Sequence, residues 1–344
     1  MPRPMNYRLL GRSGLRVSEL ALGTMTFGED WGWGASKDES RRQFDAFAEL
    51  GGNFIDTANR YTEGTSERFV GEFIASDRDR YVVATKYTLF DRKGDPNFSG
   101  NHRKNMMRSV RESLKRLGTD HIDLLWVHMW DFTTHVDEVM RGLDDLVRQG
   151  TVHYVGVSDT PAWIVSQANT LADLKGWSPF VALQLRYSLI DRAAERDLLP
   201  MARAFDLGVT PWSVLGAGVL SGKYNDGQQA SGRAAAGGAK VERNLQIAGV
   251  AAGIGKEIGA TPSQVAIAWA MQQPGVVIPI LGARTSAQLE DNLGAVDVVL
   301  STEHLSWLES ASAFDIGFPH EFTRTANIRD LMFGGTADRL RMHR

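Results

Sequence analysis

Short apolar runs alternate with longer amphipathic segments through most of the chain. Eight of these runs have the length and flanking turn residues of buried strands: SELALG, NFIDTA, YVVATK, IDLLWVHM, VHYVGVS, FVALQLRYS, GVTPWSVL and VVIPILGA. The segments between them have helical periodicity, and Ser36 and Glu39 form a capping-box pattern before the first one. Strand followed by helix, repeated in this way, predicts a parallel sheet.

Eight strand–helix units favour a closed α/β (β/α)8 TIM barrel over an open doubly wound sheet. Closure leaves no edge strands, and eight strands form a ring whose interior side chains can fill. The open sheet remains the alternative, because the pattern alone fits both. The segment YRLLGRSGLRVSEL predicts an N-terminal β-hairpin that closes the barrel floor.

The chain is expected to form a single domain over residues 1–344. Residues at about 225–240 are rich in Gly, Ala and Ser and predict a mobile loop within one unit. Residues at about 302–344 predict a C-terminal extension, and its aromatic residues suggest that part of it packs on the barrel.

Composition narrows the range of partners. Hydrophobic residues make up 43% of the chain, the net charge is −3, and there is no cysteine. We therefore expect no nucleic-acid partner, no disulfide and no thiolate chemistry. The sequence has no signal-peptide core and no long apolar run, so we expect a cytoplasmic protein, with no membrane partner, that acts on a small molecule.

Polar side chains stand where three consecutive predicted strands end. Asp56 ends the second strand, Lys86 ends the third, and His128 lies close to the end of the fourth. Tyr61 follows in the loop after the second strand. The carboxyl ends of barrel strands share one mouth, so these four side chains should converge. Each has an ordinary structural explanation alone, but together they predict a catalytic site.

The chemistry of these four residue types suggests a proton donor. A tyrosine pKa near 10 is high for proton exchange at neutral pH, and an adjacent lysine ammonium would lower it. Asp56 would keep Lys86 charged, and His128 would orient a substrate oxygen toward Tyr61. With neither a nucleophile nor a metal, this arrangement suits reduction of a carbonyl by a hydride cofactor.

Two later segments are candidates for binding the cofactor phosphates. GAGVLSG, residues 216–222, has the wrong glycine spacing for a dinucleotide fingerprint but can bring backbone amides close to a pyrophosphate. The segment IPILGARTSAQLEDNLGA ends a strand and opens a helix, so Arg284 and the helix N-terminus could bind a 2′-phosphate. Thr285 and Gln288 equally fit a plain capping box.

Aromatic residues in the predicted loops suggest the substrate class. Phe27, Trp31 and Trp33 lie in the first barrel loop, and Trp130 follows His128. At the mouth they would form an apolar wall, which predicts aromatic or bulky hydrophobic aldehydes and ketones.

Ordered motifs along the chain resemble the aldo-keto reductase family. They include FIDTANRYTEGTSERFVGEFI, ATKYT, LLWVHMWD, QLRYSLIDR and PWSVLGAGVLSGKY. NHRK, SDTPAW, ERDLLPMAR and FDIGFPH are most similar to the branch of aryl-alcohol dehydrogenases and norsolorinic-acid reductases. The similarity runs from about Tyr7 to about Phe322.

The resemblance implies a barrel enzyme that binds NADP(H) without a Rossmann domain. Asp56, Tyr61, Lys86 and His128 match the family's catalytic tetrad, with Tyr61 as general acid. Other positions match the family's cofactor contacts: Gly23, Thr24, Ser158, Asp159, Gln184, Trp212, Ser213, Leu215, Gly216, Gly218, Lys223, Gly282, Arg284, Gln288, Asp291 and Asn292.

Two positions depart from the family pattern. Asp159 replaces the usual Asn beside the nicotinamide carboxamide, and it could instead cap the following helix. Gly282 replaces a phosphate-binding Lys found in many members, which leaves Arg284 as the main ligand for a 2′-phosphate.

Two other functions remain as alternatives. The first is a regulatory barrel that binds NADP(H) with little turnover. The second, weaker alternative is a metal-dependent hydrolase, although no predicted strand ends in a His-x-His or clustered carboxylate set.

Overall fold

The structure is a computed structural model that describes residues 2–225 and 241–341. Apart from Asn225, the predicted mobile loop at about 225–240 lies outside the described residues. In the described part of the chain, no helix has the length and apolar composition needed to cross a bilayer.

The described residues form ten strands. They are β1 (Tyr7–Leu9), β2 (Arg16–Ser18), β3 (Ala21–Gly23), β4 (Phe54–Asp56), β5 (Val82–Tyr87), β6 (Ile122–Val127), β7 (Val152–Ser158), β8 (Phe180–Arg186), β9 (Gly208–Trp212) and β10 (Ile280–Leu281). Strands β3 to β10 correspond to the eight predicted runs.

These eight strands form one parallel sheet in the order β10-β3-β4-β5-β6-β7-β8-β9. The two ends of the sheet meet, because the Val209 amide donates to Val276 O at 2.7 Å and the Ile278 amide donates to Val209 O at 2.8 Å. The predicted α/β (β/α)8 barrel is therefore confirmed, and the open sheet is rejected.

Twelve helices lie in the described residues. They are α1 (Lys37–Glu49), α2 (Thr65–Ile74), α3 (Arg103–Leu117), α4 (Val136–Arg148), α5 (Ala162–Lys175), α6 (Leu198–Ala204), α7 (Glu242–Ile258), α8 (Pro262–Met271), α9 (Ser286–Leu293), α10 (Thr302–Ala311), α11 (His320–Arg324) and α12 (Ala326–Phe333). The apolar faces of α1 to α10 pack around the sheet in one large buried cluster.

The N-terminal hairpin lies against the barrel interior, as predicted. β1 and β2 pair antiparallel. Leu10 and Val17 are fully buried in the same apolar cluster as Phe54 and Leu124, which come from barrel strands. The hairpin therefore contributes side chains that fill the barrel.

The C-terminal extension is only partly packed. In α10 and just beyond it, Leu308 and Ser312 are fully buried, and Ser312 Oγ accepts a hydrogen bond from Arg192 at 2.8 Å. No residue of α11 or α12 is buried. The expectation that part of the extension packs on the barrel is confirmed for α10 and its end.

Candidate active site

Strand alternation explains why the polar strand-end residues meet. Phe54, Ala84 and Trp126 belong to the cluster inside the barrel. Residues two positions further along a strand point to the same face, so Asp56, Lys86 and His128 continue these inward-facing rows at the barrel mouth. Neighbouring strands are in register there, with Asp56 opposite Ala84 and Lys86 opposite Trp126.

Asp56 and Lys86 form a buried ion pair. The Lys86 ammonium lies 2.5 Å from Asp56 Oδ2 and also donates to Thr57 O at 2.8 Å. Gln184 Nε2 donates to Asp56 Oδ1 at 2.9 Å, so both carboxylate oxygens are occupied. The side chain of Lys86 is fully buried, and burying it without a partner would be costly.

The loop after β4 brings Tyr61 beside this pair. The Lys86 ammonium lies 4.7 Å from the centre of the Tyr61 ring. Thr62 and Glu63 have positive φ values of 45° and 55°, which are unfavourable for residues with side chains. Thr62 Oγ1 holds the turn in place by donating to Phe27 O at 2.6 Å. Backbone strain is thus concentrated next to Tyr61.

Lys86 acts on the pKa of Tyr61 in the expected direction, but the net shift of that pKa is upward. Burial raises the pKa of Tyr61, and the nearby Lys86 charge lowers it by less than burial raises it. Tyr61 is therefore a protonated phenol at neutral pH. Its side chain is partly exposed. Burial lowers the pKa of Lys86, but Asp56 and then Tyr61 outweigh this, so that its pKa lies above the ordinary value. The pair Asp56–Lys86 is charged, and Tyr61 carries its proton.

His128 stands next to Tyr61 as a neutral side chain. The two rings are 5.9 Å apart and almost perpendicular. Burial, followed by repulsion from Lys86, holds the pKa of His128 well below the ordinary value. Its Nδ1 is buried and has no hydrogen-bond partner among the described residues.

Three further strand ends complete the mouth. Ser158 and Gln184 are buried at the ends of β7 and β8 and pair in register. Trp212 ends β9, and its Nε1 donates to Asp159 Oδ1 at 3.1 Å. Burial raises the pKa of the Asp159 carboxyl, whereas the Trp212 hydrogen bond and Lys86 oppose this rise.

Asp159 does not cap the helix that follows. Helix α5 begins after Pro161, which occupies the N-cap position and has no capping side chain. The Asp159 carboxylate instead accepts a hydrogen bond from the Trp212 indole, which restrains the orientation of that ring.

The loop after β9 has the conformation that close backbone approach requires. Ser213, Gly216, Ala217 and Gly218 all have positive φ. A Cβ added to Gly216 would lie 2.3 Å from Ile190 Cδ1, so glycine is needed there. A Cβ at Gly218 would meet the Lys223 ammonium at 3.4 Å, which brings that cation to the loop. Leu215 is partly buried at the start of this turn.

Two charged groups lie at the start of α9: the Arg284 guanidinium and a carboxylate, from Glu39, that sequence analysis missed. Arg284 is exposed, and its guanidinium has no ion-pair partner in the described part of the chain. Gln288 Oε1 accepts the Arg284 amide at 3.0 Å, and Thr285 Oγ1 accepts the Gln288 amide. The Ser286 amide donates to Glu39 Oε1. The helix N-terminus therefore already holds one anionic oxygen, contributed by α1.

Other positions that match the family's cofactor contacts have structural partners. Thr24 is fully buried, and its hydroxyl donates to Asp56 O at 3.0 Å. Gly23 permits close strand packing, because an added Cβ would lie 2.7 Å from Ile280 Cγ2. Asp291 Oδ2 accepts from Thr261 at 3.1 Å, and Asn292 is buried in α9. A Cβ at Gly282 would face open space.

The predicted aromatic wall is only partly at the surface. Trp31 and Trp33 lie 5.5 Å apart, and Trp31 Nε1 donates to Glu63 Oε1 at 3.0 Å beside Tyr61. Trp130 is 7% exposed. The structure corrects the prediction for Phe27, whose side chain has no exposed surface and packs against Phe73.

Sequence analysis found the four-residue cluster but missed several of its supports. The contact of Lys86 with the Thr57 carbonyl could not be recognised from the sequence, because every residue has a backbone carbonyl. The bond from Gln184 to Asp56 and the bond from Ser286 to Glu39 join segments far apart in sequence. Only the fold brings them together.

The structure therefore combines a parallel eight-stranded barrel with a buried aspartate–lysine pair that lies beside a tyrosine and a histidine at the barrel mouth. The Aldo/keto reductase family profile matches residues 19–313. The chain belongs to this family, which makes it an oxidoreductase that acts on carbonyl compounds, and the resemblance noted in the sequence is confirmed.

Curated relatives are similar over most of their length. Norsolorinic acid reductase of Aspergillus flavus is 41% identical over 92% of this chain and 83% of its own. Aryl-alcohol dehydrogenase [NADP(+)] of Phanerodontia chrysosporium is 39% identical over 94% of this chain and 88% of its own. A putative aryl-alcohol dehydrogenase of Saccharomyces cerevisiae is 39% identical over 91% and 88%, respectively.

Proposed function

We propose that the protein reduces aromatic or bulky hydrophobic aldehydes and ketones to alcohols with NADP(H), with Tyr61 as general acid. The observation that carries this proposal is the contact between a protonated Tyr61 and a buried, charged Asp56–Lys86 pair at the barrel mouth. The name of the Phanerodontia relative includes NADP(+), which supports the choice of cofactor.

The chain's own residues fit such a cofactor. In the loop that contains Leu215, the positive φ values of Ser213, Gly216 and Gly218 would let the backbone approach a phosphate closely, and Lys223 adds a cation near Gly218. Arg284, at the other end of the site, is an exposed guanidinium that has no ion-pair partner among the residues the structure describes, and it is suited to a 2′-phosphate. Ser158, Asp159, Gln184 and Trp212 form the polar and aromatic side of the mouth near Lys86. When bound, NADPH supplies the hydride.

Four side chains would handle the proton and orient the substrate. Tyr61 holds the proton that a developing alkoxide requires. The positive charge of Lys86 favours the phenolate that remains after the proton has left, and Asp56 keeps that charge in place. His128, neutral and next to Tyr61 at the mouth, can donate a hydrogen bond from a ring N–H to the carbonyl oxygen and direct it toward Tyr61.

Trp31, Trp33 and Trp130 support an apolar substrate. Trp31 is tied to the turn that contains Tyr61 by its bond to Glu63 and by Arg60, whose guanidinium lies 6.0 Å from the indole. A flat apolar surface beside the proton donor favours aryl groups over charged sugars. A panel of carbonyl compounds in which phosphorylated sugars gave much the highest kcat/KM would contradict this substrate class.

The direct test is consumption of NADPH with an aryl aldehyde, followed by absorbance at steady state. Turnover with formation of the aryl alcohol is expected. Binding of NADPH, detected by fluorescence, without consumption across the carbonyl panel would instead favour a regulatory barrel. A chelator in the same assay tests the hydrolase alternative, and it should leave NADPH consumption unchanged.

Cofactor choice is tested separately by Arg284→Gln. Loss of a charged hydrogen bond to the 2′-phosphate should raise the Kd for NADPH by about 10- to 100-fold. The Kd for NADH should change little, because NADH has no 2′-phosphate. Equal losses for both cofactors would reject this role for Arg284.

A further inference from the structure

A second cluster of chemically active side chains lies at the opposite end of the barrel. His121 directly precedes β6, Asp123 is the second residue of β6, and His153 is the second residue of β7. The amino ends of the strands form the barrel floor, so the cluster is remote from Asp56, Lys86 and His128 at the carboxyl ends.

The three side chains point potential metal-binding atoms toward one another. Asp123 Oδ1 lies 4.0 Å from His121 Nε2 and 3.8 Å from His153 Nδ1. The imidazole rings stack with centres 4.6 Å apart. One potential ligand atom from each of the three residues lies within 4.8 Å of the other two.

Hydrogen bonds from neighbouring groups orient the side chains of His121 and Asp123 in a way that favours metal binding. Asp120 Oδ1 lies 2.7 Å from His121 Nδ1, and a carboxylate can only accept, so His121 Nδ1 carries the hydrogen and Nε2 keeps its lone pair. Asp123 Oδ2 accepts from Arg78 at 2.6 Å and from the Val83 amide at 2.9 Å, which leaves Oδ1 toward the imidazoles. Carboxylate support of this kind is typical of histidine ligands in metal sites.

We propose that His121, Asp123 and His153 bind a divalent transition metal ion of the zinc type. Two imidazoles and one carboxylate suit Zn²⁺, whereas Mg²⁺ and Ca²⁺ favour oxygen ligands alone. Metal–ligand bonds of about 2.1 Å require ligand atoms about 3.4 Å apart, so the cluster must contract by several tenths of an ångström or more. His153 can make most of this adjustment, because 45% of its side chain is exposed.

The proposed ion would join parts of the floor that are separate in sequence. It would connect the starts of β6 and β7, and through the Asp123–Arg78 pair it would also reach the turn before β5. With three protein ligands, the remaining coordination position faces solvent and would hold water. The site is independent of the proposed reduction, because none of its residues lies at the barrel mouth.

The experiment is a titration of the tag-free, chelator-treated full chain with ZnCl₂ at about pH 7.5, above the ordinary histidine pKa of about 6.5. Calorimetry should give one zinc ion per chain. At about a hundredfold excess over Kd, zinc should raise Tm by about 4 °C for a chain of this size. Absence of saturable binding would overturn the proposal.

Variants locate the ion. Asp120→Asn should weaken zinc binding by about 10- to 100-fold, the usual effect of losing a carboxylate that supports a histidine ligand. His121→Gln and His153→Gln should weaken it further, while His320→Gln in α11 and His128→Asn at the mouth should retain the original affinity. Binding that survives both His121→Gln and His153→Gln would show that zinc lies elsewhere and would overturn the assignment.

Discussion

At the scale of single residues, the site works by separating charged groups from neutral ones. Asp56 and Lys86 are buried as an ion pair, whereas Tyr61 and His128 a few ångströms away are neutral. In the proposed reaction a general acid must hold its proton until the substrate is present, and the raised pKa of Tyr61 is consistent with that role. Under the same proposal, Lys86 would stabilise the phenolate after proton transfer, rather than ionise Tyr61 in the resting enzyme.

The low pKa of His128 makes stability depend on pH. Below the unfolded-state pKa of about 6.5 the unfolded chain binds a proton that the folded chain excludes, so stability present above that pH is lost as pH falls. The free energy of unfolding should fall between pH 7 and 5 by up to about 1.4 kcal/mol per pH unit from this group. Urea unfolding at several pH values measures it.

The matched comparison for this prediction is His128→Asn against His135→Asn. His135 is exposed at the start of α4. His128→Asn should flatten the pH dependence over this range, and His135→Asn should leave it as in the wild type. If the free energy of unfolding depended on pH equally in the wild type and His128→Asn, burial of His128 would not be the cause of that dependence.

At the scale of secondary-structure elements, the barrel depends on close packing inside the ring. Gly156 on β7 lies opposite Trp126 on β6, and the Trp126 ring is fully buried. A Cβ at Gly156 would come within 2.4 Å of that ring. The large indole below the active site therefore requires a glycine on the next strand.

Gly156→Ala should lower the free energy of unfolding by about 1–3 kcal/mol, the usual cost of overpacking a core. Gly253→Ala, within α7, is the matched control, because a Cβ there meets nothing within 4 Å. That change should instead raise stability by about 0.5–1 kcal/mol through helix propensity. Chemical denaturation measures both, and a loss of stability in the control or none in Gly156→Ala would contradict the packing argument.

Elements were predictable from sequence to different degrees. The eight barrel strands were found because each is a short apolar run between turn residues, and that signal is local. The pairing of Trp126 with Gly156 could not be predicted, because it depends on the register between strands about 30 residues apart. The inward direction of Asp56, Lys86 and His128 follows from strand alternation, but the Glu39–Ser286 contact requires the closed ring.

At the scale of the whole molecule, the barrel and the end of the described chain differ in how much of their side chains is buried. Arg196 donates to Asp315 O and Ile316 O, and these bonds hold the segment before α11 against the barrel. Beyond it, Phe318 and Leu331 are 78% and 71% exposed. We propose that residues 1–344 nevertheless form a single domain, in which α10 belongs to the cooperative unit and α11 and α12 add little to its stability.

Deleting residues 317–344 should therefore change the free energy of unfolding of the barrel by less than about 1 kcal/mol, because the removed helices bury no residue. Deleting residues 302–344 also removes Leu308, whose loss alone should cost about 2–5 kcal/mol. Urea unfolding of both truncations measures the difference. A large loss in the shorter deletion would contradict this division.

The central claim is that the protonated phenol of Tyr61 beside Lys86 donates the proton in carbonyl reduction, and kcat of Tyr61→Phe with NADPH and an aryl aldehyde tests it most directly. Tyr7→Phe is the control, because its hydroxyl contacts Gly51 O, away from the mouth. Tyr61→Phe should lower kcat by about 10²- to 10⁴-fold with the NADPH Kd little changed. Turnover within a few-fold of the wild type would contradict the account.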